Sequence, residues 1–498
     1  MNTLRVACAV LPTVLDRDQP LRILQWENID AHLQLYEPLL GYAGAEPATA
    51  GSPDSKKLVG LMAERWERSD DAKTWCFFLR RSVFSAFGHE MTAKDVAWTW
   101  KRSLALGTVG AWIGSNAGLH RADQVKAIDR YTVEFTLPYS TSILPYLLTV
   151  IVPTVFDSTE VKKYVTPDDP WALKTLQKRG LGYGPYTVDE SSDETVFRMC
   201  ANPRYWAGPV GYERVEMVAI LDPADRWDAL KNGEVDVAID LNEPAGTRNG
   251  VVVHHLPTTW RTMLGCNVTR PPFDKLNIRR AVALAIPYQR IVDEAFRGGA
   301  KRMTSCISDV VTGHTAAHRS WNYDPAEARR LLKPYLPLPP IELAYHDEFA
   351  HFPRIARIVA EALGEVGVKV KPAYLDLAQH GLKKLDRALN FFVDQDGPIT
   401  IDGRYALGHD VNPPLKGVFD FTGYHSDEID GYLAASLKEL DDGKMVALLG
   451  EVQRVVLNDL PWIPLAQHSF VVGISRKVAG HRWFPLSRLR ARHLSPAA

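Results

Sequence analysis

The chain has 498 residues, of which 46% are hydrophobic, 10% aromatic and 23% charged, so it belongs with ordinary folded proteins, and its length predicts about three domains. Lys and Arg number 58 against 59 Asp and Glu; with no global positive field to attract phosphates, no nucleic-acid partner is expected. The longest strongly apolar stretch, residues 142–156, contains two prolines and falls short of the roughly 20 residues that a membrane helix requires.

In chain order, Leu4, Val6 and Ala9-Val10 read as a first buried strand. The same segment mimics an export signal, with Arg5 ahead of an apolar run, but Pro12 interrupts that run and no small-residue cleavage site follows. A lipoprotein signal would need an aliphatic where Arg5 stands before Cys8. The expectation is therefore either a signal outside this sequence or a cytoplasmic protein. Residues 44–55 read as a loop. Trp75, Phe77 and Leu79, and then Val133, Phe135 and Leu137, alternate as strands. Between them Thr92-x-x-Asp95 opens a helix with Val96, Trp100 and Leu104 on one face. Residues 42–165 form a candidate compact block.

Further on, Gly180-Leu181-Gly182-Tyr183-Gly184-Pro185 reads as a turn, since Pro185 removes a donor that a phosphate cradle would need. Asp324-Pro325-Ala326-Glu327 caps a helix. Ile355, Ile358, Val359, Ala362, Leu363 and Val366 form a helical stripe stopped by Gly367, and Val368 and Val370 then enter a strand. Ser426 opens a helix through Ile429, Leu433, Leu437 and Leu440. Val446, Leu449, Val452, Val456 and Leu460 mark a last long helix ended by Pro461.

The residues show little catalytic chemistry. The cysteines (Cys8, Cys76, Cys200, Cys266 and Cys306) are scattered, allow at most two disulfides and read as small buried hydrophobes. His314-x-x-x-His318 has helical spacing but lacks the Glu of a zinc protease, and His254-His255 would point to opposite faces of a strand. No nucleophile elbow or P-loop is present. The expectation is no enzyme, no cofactor and no metal. Aromatic residues beside polar or turn residues, at Trp112, Trp260-Arg261, Trp321-Asn322-Tyr323 and 391–405, suit a pocket wall for a small polar solute.

One pattern spans the chain. It runs through Leu58-Val59-Gly60-Leu61-Met62-Ala63-Glu64-Arg65-Trp66-Glu67, Ser69 to Arg80, and Met91-Thr92-Ala93-Lys94-Asp95-Val96. It continues through Tyr36-Glu37-Pro38-Leu39, Gly182-Tyr183-Gly184-Pro185-Tyr186, Asn202-Pro203-Arg204-Tyr205-Trp206, Leu230 to Asp236, Pro272-Phe273-Asp274-Lys275, Arg279 to Ile286, and Pro461-Trp462-Ile463-Pro464-Leu465. Together these resemble the family 5 extracellular solute-binding proteins, the oligopeptide, dipeptide and nickel binding components of ABC importers.

The resemblance implies an α/β, two-lobed periplasmic-binding-protein-like fold (type II, cluster C) with an extra inserted domain. Lobe one would be 1–41, 166–258 and 466–498, the insert 42–165, and lobe two 259–465. A ligand would be captured between two hinged lobes. The partners implied are a small-molecule or peptide ligand and the membrane subunits of an ABC permease. A monomer is expected, in a periplasmic or membrane-anchored extracytoplasmic location, with a cytoplasmic one as the alternative.

In the peptide-binding members an acidic residue on an aromatic loop holds the peptide ammonium, and Phe391-Phe392-Val393-Asp394-Gln395-Asp396-Gly397-Pro398 resembles that loop. Asp394 takes the acidic position and Phe391 replaces a Trp. The alternative for Asp394, Asp396, Asp402 and Arg404 is a solvated turn. Trp260 and Arg261 fall on the crossover strand, either lining the cleft or packing the hinge. Phe392, Arg404, Tyr36 and Glu37 complete the candidate ligand-binding set. The expected solute is a short peptide or other amine-bearing metabolite. The alternatives are a sugar, opine or metal-chelate binder, or a cytoplasmic sensor or enzyme on the same fold.

Overall fold

The computed structural model describes residues 2–16, 18, 26–150, 152–318, 321–411 and 421–498. The chain forms two compact units, Met1–Leu256 with Phe470–Ala498, and Pro257–Ser469. It passes between them inside two long strands, Val251–Cys266 and Trp462–Ser475.

In the first unit, strand Thr3–Cys8 buries Leu4 and Val6 and runs parallel to Arg214–Ala219 and Val237–Ile239. Val196–Ala201 and Tyr186–Val188 extend the sheet antiparallel on one side, and the end of Trp462–Ser475 pairs with Val237–Ile239 on the other. Strands with both faces covered read as continuous apolar runs, as Val237–Ile239 does. Ala9 and Val10 fall in a bend after the first strand, where Val10 is exposed. A separate antiparallel sheet in this unit orders Ala63–Arg68, Thr74–Leu79, Thr132–Thr136 and Val125–Ala127. Helix Ala93–Leu106 starts on the Thr92/Asp95 capping box. Its Trp100 meets Phe135 edge-on at 5.6 Å, and Phe135 meets Phe77 at 5.4 Å, which closes a small aromatic core. In the apolar run 142–156, Leu144–Leu147 is a short helix and Ile151 lies outside the described residues.

The second unit centres on strands Ile341–Tyr345, Val370–Tyr374 and Phe391–Asp396, joined antiparallel to Val251–Cys266 with Arg261 opposite Asp396 and Cys266 opposite Phe391. Helix Phe352–Glu365 carries the expected stripe onto a core with Phe273, Ile278, Val282, Phe391 and Val393. It is followed by Gly367 at φ +89°, a left-handed conformation that glycine adopts without strain. The N-caps at Asp324 and Ser426 accept from the backbone N–H groups of Glu327 and Ile429.

Several expectations need correcting. Leu440 lies past the end of helix Asp427–Lys438 and is exposed, and Cys76 and Cys200 are half-buried on strands whose other face carries the core. In helix Asp442–Asp459 the buried position is Met445, while Val446 faces solvent, because the stripe drifts at 3.6 residues per turn. His314 and His318 lie in irregular backbone, so their spacing does not put them on one helix face.

Strand 251–266 meets strand 391–396 through a gap that only glycine leaves. A Cβ on Gly265 would lie 2.2 Å from the ring of fully buried Phe392. Gly265→Ala is expected to destabilise the protein by about 1–3 kcal/mol through overpacking, read as a lower urea midpoint at unchanged slope. An unchanged midpoint would mean that the ring has room to move.

Candidate functional site

The site begins with strand Phe391–Asp396, in which alternate side chains point to opposite faces. Phe391 and Val393 enter the large core, and Phe392 enters a smaller cluster with Met263 and Trp462. Asp394 and Asp396 therefore share the Phe392 face, and both need counter-charge. Asp394 receives Lys384 Nζ at 2.9 Å on each oxygen. Burial pushes its carboxyl above the usual range, with the Lys384 ammonium pulling it back. Asp396 accepts from Arg261 Nε at 2.9 Å, and the same guanidinium also donates to the carbonyl of Cys306.

Arg404 is buried against Asp402, its Nε at 3.0 Å and Nη2 at 2.6 Å. Asp402 and Asp394 are both buried, which overturns the solvated-turn alternative: these carboxylates are satisfied by cations, and water has little access to them. Trp260 lies over Gly397, where a Cβ would come within 2.8 Å of the indole. The hydroxyl of Thr259 donates to Pro398 O at 2.9 Å and ties the same two segments together.

On the opposite face is a group without any sequence signal. His351 Nε2 meets Gln395 Oε1 at 2.7 Å and His468 Nε2 meets the Thr262 hydroxyl at 2.7 Å, with Phe296 against both rings. Behind Phe392, His346 and His380 lie with ring centroids 4.9 Å apart. Lys384 also escaped the sequence reading, since nothing in the spacing of a lysine ten residues before Asp394 announces a pair.

Tyr36 and Glu37 belong to the first unit. Tyr36 is buried, its hydroxyl accepts from Leu181 N at 3.1 Å, and its ring occupies the space that a side chain at Gly182 would need. Glu37 is held by Arg492, by the Tyr205 hydroxyl at 2.8 Å and by Trp206 Nε1 at 2.8 Å. Of the candidate residues, Asp394, Arg261, Phe391, Phe392 and Trp260 are therefore gathered on paired strands of the second unit, and Arg404 sits on the helix that follows.

The family model for bacterial extracellular solute-binding proteins, family 5, matches residues 57–413. The chain belongs to this family. Among its relatives, the probable D,D-dipeptide-binding periplasmic protein DdpA of Escherichia coli (strain K12) is 23% identical over 88% of this chain and 84% of that protein. The glutathione-binding protein GsiB of Shigella flexneri serotype 5b (strain 8401) is 23% identical over 86% of this chain and 84% of that protein. The structure of HbpA2 from Haemophilus parasuis superposes with a TM-score of 0.83 at 19% identity, covering 100% of both chains. The protein is a solute-binding component of an ABC import system. Its two-lobed α/β fold is that of the family. Among the described residues, no helix is long and apolar enough to cross a membrane.

Asp394→Asn leaves the Lys384 ammonium without its counter-ion and should destabilise the unliganded protein by about 1–3 kcal/mol, below the range for fully buried pairs because Lys384 is partly exposed. Adding Lys384→Met should recover part of that loss in a double-mutant cycle, and strict additivity would mean the pair contributes nothing.

Burial holds His346 and His351 down to about 4 and His380 down to about 3, against about 6.5 in the unfolded chain. Below pH 6.5 the unfolded state binds protons that the native state refuses. Stability should thus be full above about pH 6.5 and fall as the pH drops toward 4. His380→Leu should flatten that decline in melting temperature; an equally steep decline would remove His380 from the effect.

Proposed function

We propose that this chain captures a short peptide or another amine-bearing polar metabolite and delivers it to the membrane subunits of an ABC permease. The observation that carries this reading is the strand pair at 261–266 and 391–396, with Trp260 just ahead of it. It places an indole, a guanidinium and two carboxylates on rigid, neighbouring backbone within a few residues of the chain's passage between its units. Rigid strands with buried partners hold such groups in fixed geometry, which is what orienting a small ligand requires.

The relatives' names support the ligand class. Binding without catalysis is favoured by the state of the carboxylates, since Asp394, Asp396 and Asp402 each face a cation and none is poised as a base. We read the protein as a monomer with no nucleic-acid partner and no cofactor, working outside the cytoplasm, a location supported by the relative DdpA, which is named as a periplasmic protein. Trp260, Arg261, Phe392, Asp394 and Arg404 are the proposed ligand-facing or ligand-orienting residues of the second unit, with Phe391 anchoring their strand from the core side.

Thermal shift against di- to pentapeptides, amino-acid conjugates, opines and sugars tests the class. A true ligand at a hundredfold excess over its Kd adds about 2.7 kcal/mol to the folded state. A response confined to sugars would overturn the amine-bearing reading.

A further inference from the structure

The proposed ligand acid, Asp394, already has an ammonium. Both of its oxygens lie 2.9 Å from Lys384 Nζ, and the carboxylate is buried. We propose that Lys384 is a built-in counter-ion that turns this position away from free ammonium groups and toward ligands whose end here is an uncharged or anionic hydrogen-bond acceptor, an N-acylated peptide being the simplest. The inference rests on the reading of the ligand as a short peptide and of Asp394 as a ligand-facing residue, and it narrows that peptide to one that presents no free ammonium at this position.

A ligand ammonium gains from a buried carboxylate only if that carboxylate is otherwise unpaired. Here it must displace Lys384, which exchanges one ammonium for another with no net gain in charge pairing and leaves the lysine to find new partners. The large preference that a lone buried acid would confer is thereby cancelled.

The hydrogen-bonding atoms around Phe392 point the same way. His380 lies one turn before Lys384 on helix Leu377–Leu385, 4.9 Å from His346 between ring centroids and 6.2 Å from Phe392, and Trp462 meets Phe392 at 5.6 Å. All three side chains are more than nine-tenths buried, and His346 Nδ1, His380 Nε2 and Trp462 Nε1 have no hydrogen-bond partner. An indole nitrogen can only donate, a neutral imidazole nitrogen can donate in the right tautomer, and the Lys384 ammonium, which spends two N–H groups on Asp394, lies 4.3 Å from the centre of the Phe421 ring. The Asp394–Lys384 pair balances its own charge, each imidazole offers a donor or an acceptor according to its tautomer, and the Trp462 indole is a donor in either case. A buried donor left unpaired is costly, and an acceptor satisfies the indole where a further ammonium cannot.

Two probes and one ion test this. Ala-Phe and N-acetyl-Ala-Phe are titrated by calorimetry into the wild-type protein and into Lys384→Met, with Lys384→Gln as the second variant should the first not fold. The wild type is expected to bind the acetylated peptide at least as tightly as the free one. The variant should reverse the order, favouring the free amine by about tenfold or more.

In parallel, methylammonium chloride should raise the melting temperature of the variant above that in equal sodium chloride, because the small cation fills the vacated place beside Asp394, while leaving the wild type unchanged. A wild type that prefers the free amine tenfold, or a variant indifferent to methylammonium, overturns the proposal. If methylammonium stabilises the variant but neither peptide binds either protein, the peptide reading itself fails and this inference falls with it.

Discussion

Two carboxylates two residues apart on a strand point the same way, and when that face is buried each must bring its own cation. Asp394 and Asp396 impose this constraint on the second unit. Lys384 answers the first from a surface helix, and Arg261 answers the second from the directly opposed position of the neighbouring strand. Slipping that strand pair by one residue would turn Arg261 to the other face and leave Asp396 without its guanidinium. The register is held from within the pair by Gly265, which alone admits the Phe392 ring, and beside it by Gly397, which admits Trp260. Steric and electrostatic requirements therefore specify one alignment.

The first unit follows the same logic with other partners. Arg488 near the carboxyl terminus is buried against Asp30 at 2.6 Å and also engages Asp240, and Arg492 engages Glu37. Two residues of the tail thus act as counter-ions for carboxylates that the helix at 26–35 and the loop after it carry inward. Removing a single partner from such a pair costs far more than the pair contributes net, so these contacts fasten the last residues of the chain to its first helix.

Much of this was legible beforehand because it depends on local period. The alternation at Trp75, Phe77 and Leu79, the capping box at Thr92, and the caps at Asp324 and Ser426 are short-range signals, and the structure realises each of them. The family pattern was legible for a different reason: its pieces recur in a fixed order along the whole chain. What could not be read was pairing across sequence distance. Arg261 with Asp396 spans 135 positions, and the neutral histidines at 351 and 468 meet on neighbouring side chains that no spacing rule connects. Asp402 and Arg404, close in sequence, suggested a turn in water; only the burial around them reveals an ion pair that needs no solvent.

Helix Leu377–Leu385 shows the limit most clearly. Its apolar side chains Leu377, Leu382 and Leu385 cover one arc, and a sequence reading would turn that arc inward. The structure does the reverse. Those leucines are exposed, Leu382 at 63%, while His380 is buried and Lys384 reaches inward to Asp394. Exposing such side chains forgoes roughly 1 kcal/mol or more apiece, yet turning the helix would leave Asp394 buried without a cation, a penalty of about 3–5 kcal/mol, and would put Lys384 into water together with the polar arc. The burial pattern of this helix is thus set by one carboxylate on the strand beneath it. Hydrophobic period tells which residues share a face; here the charge under the helix determines which face is inside.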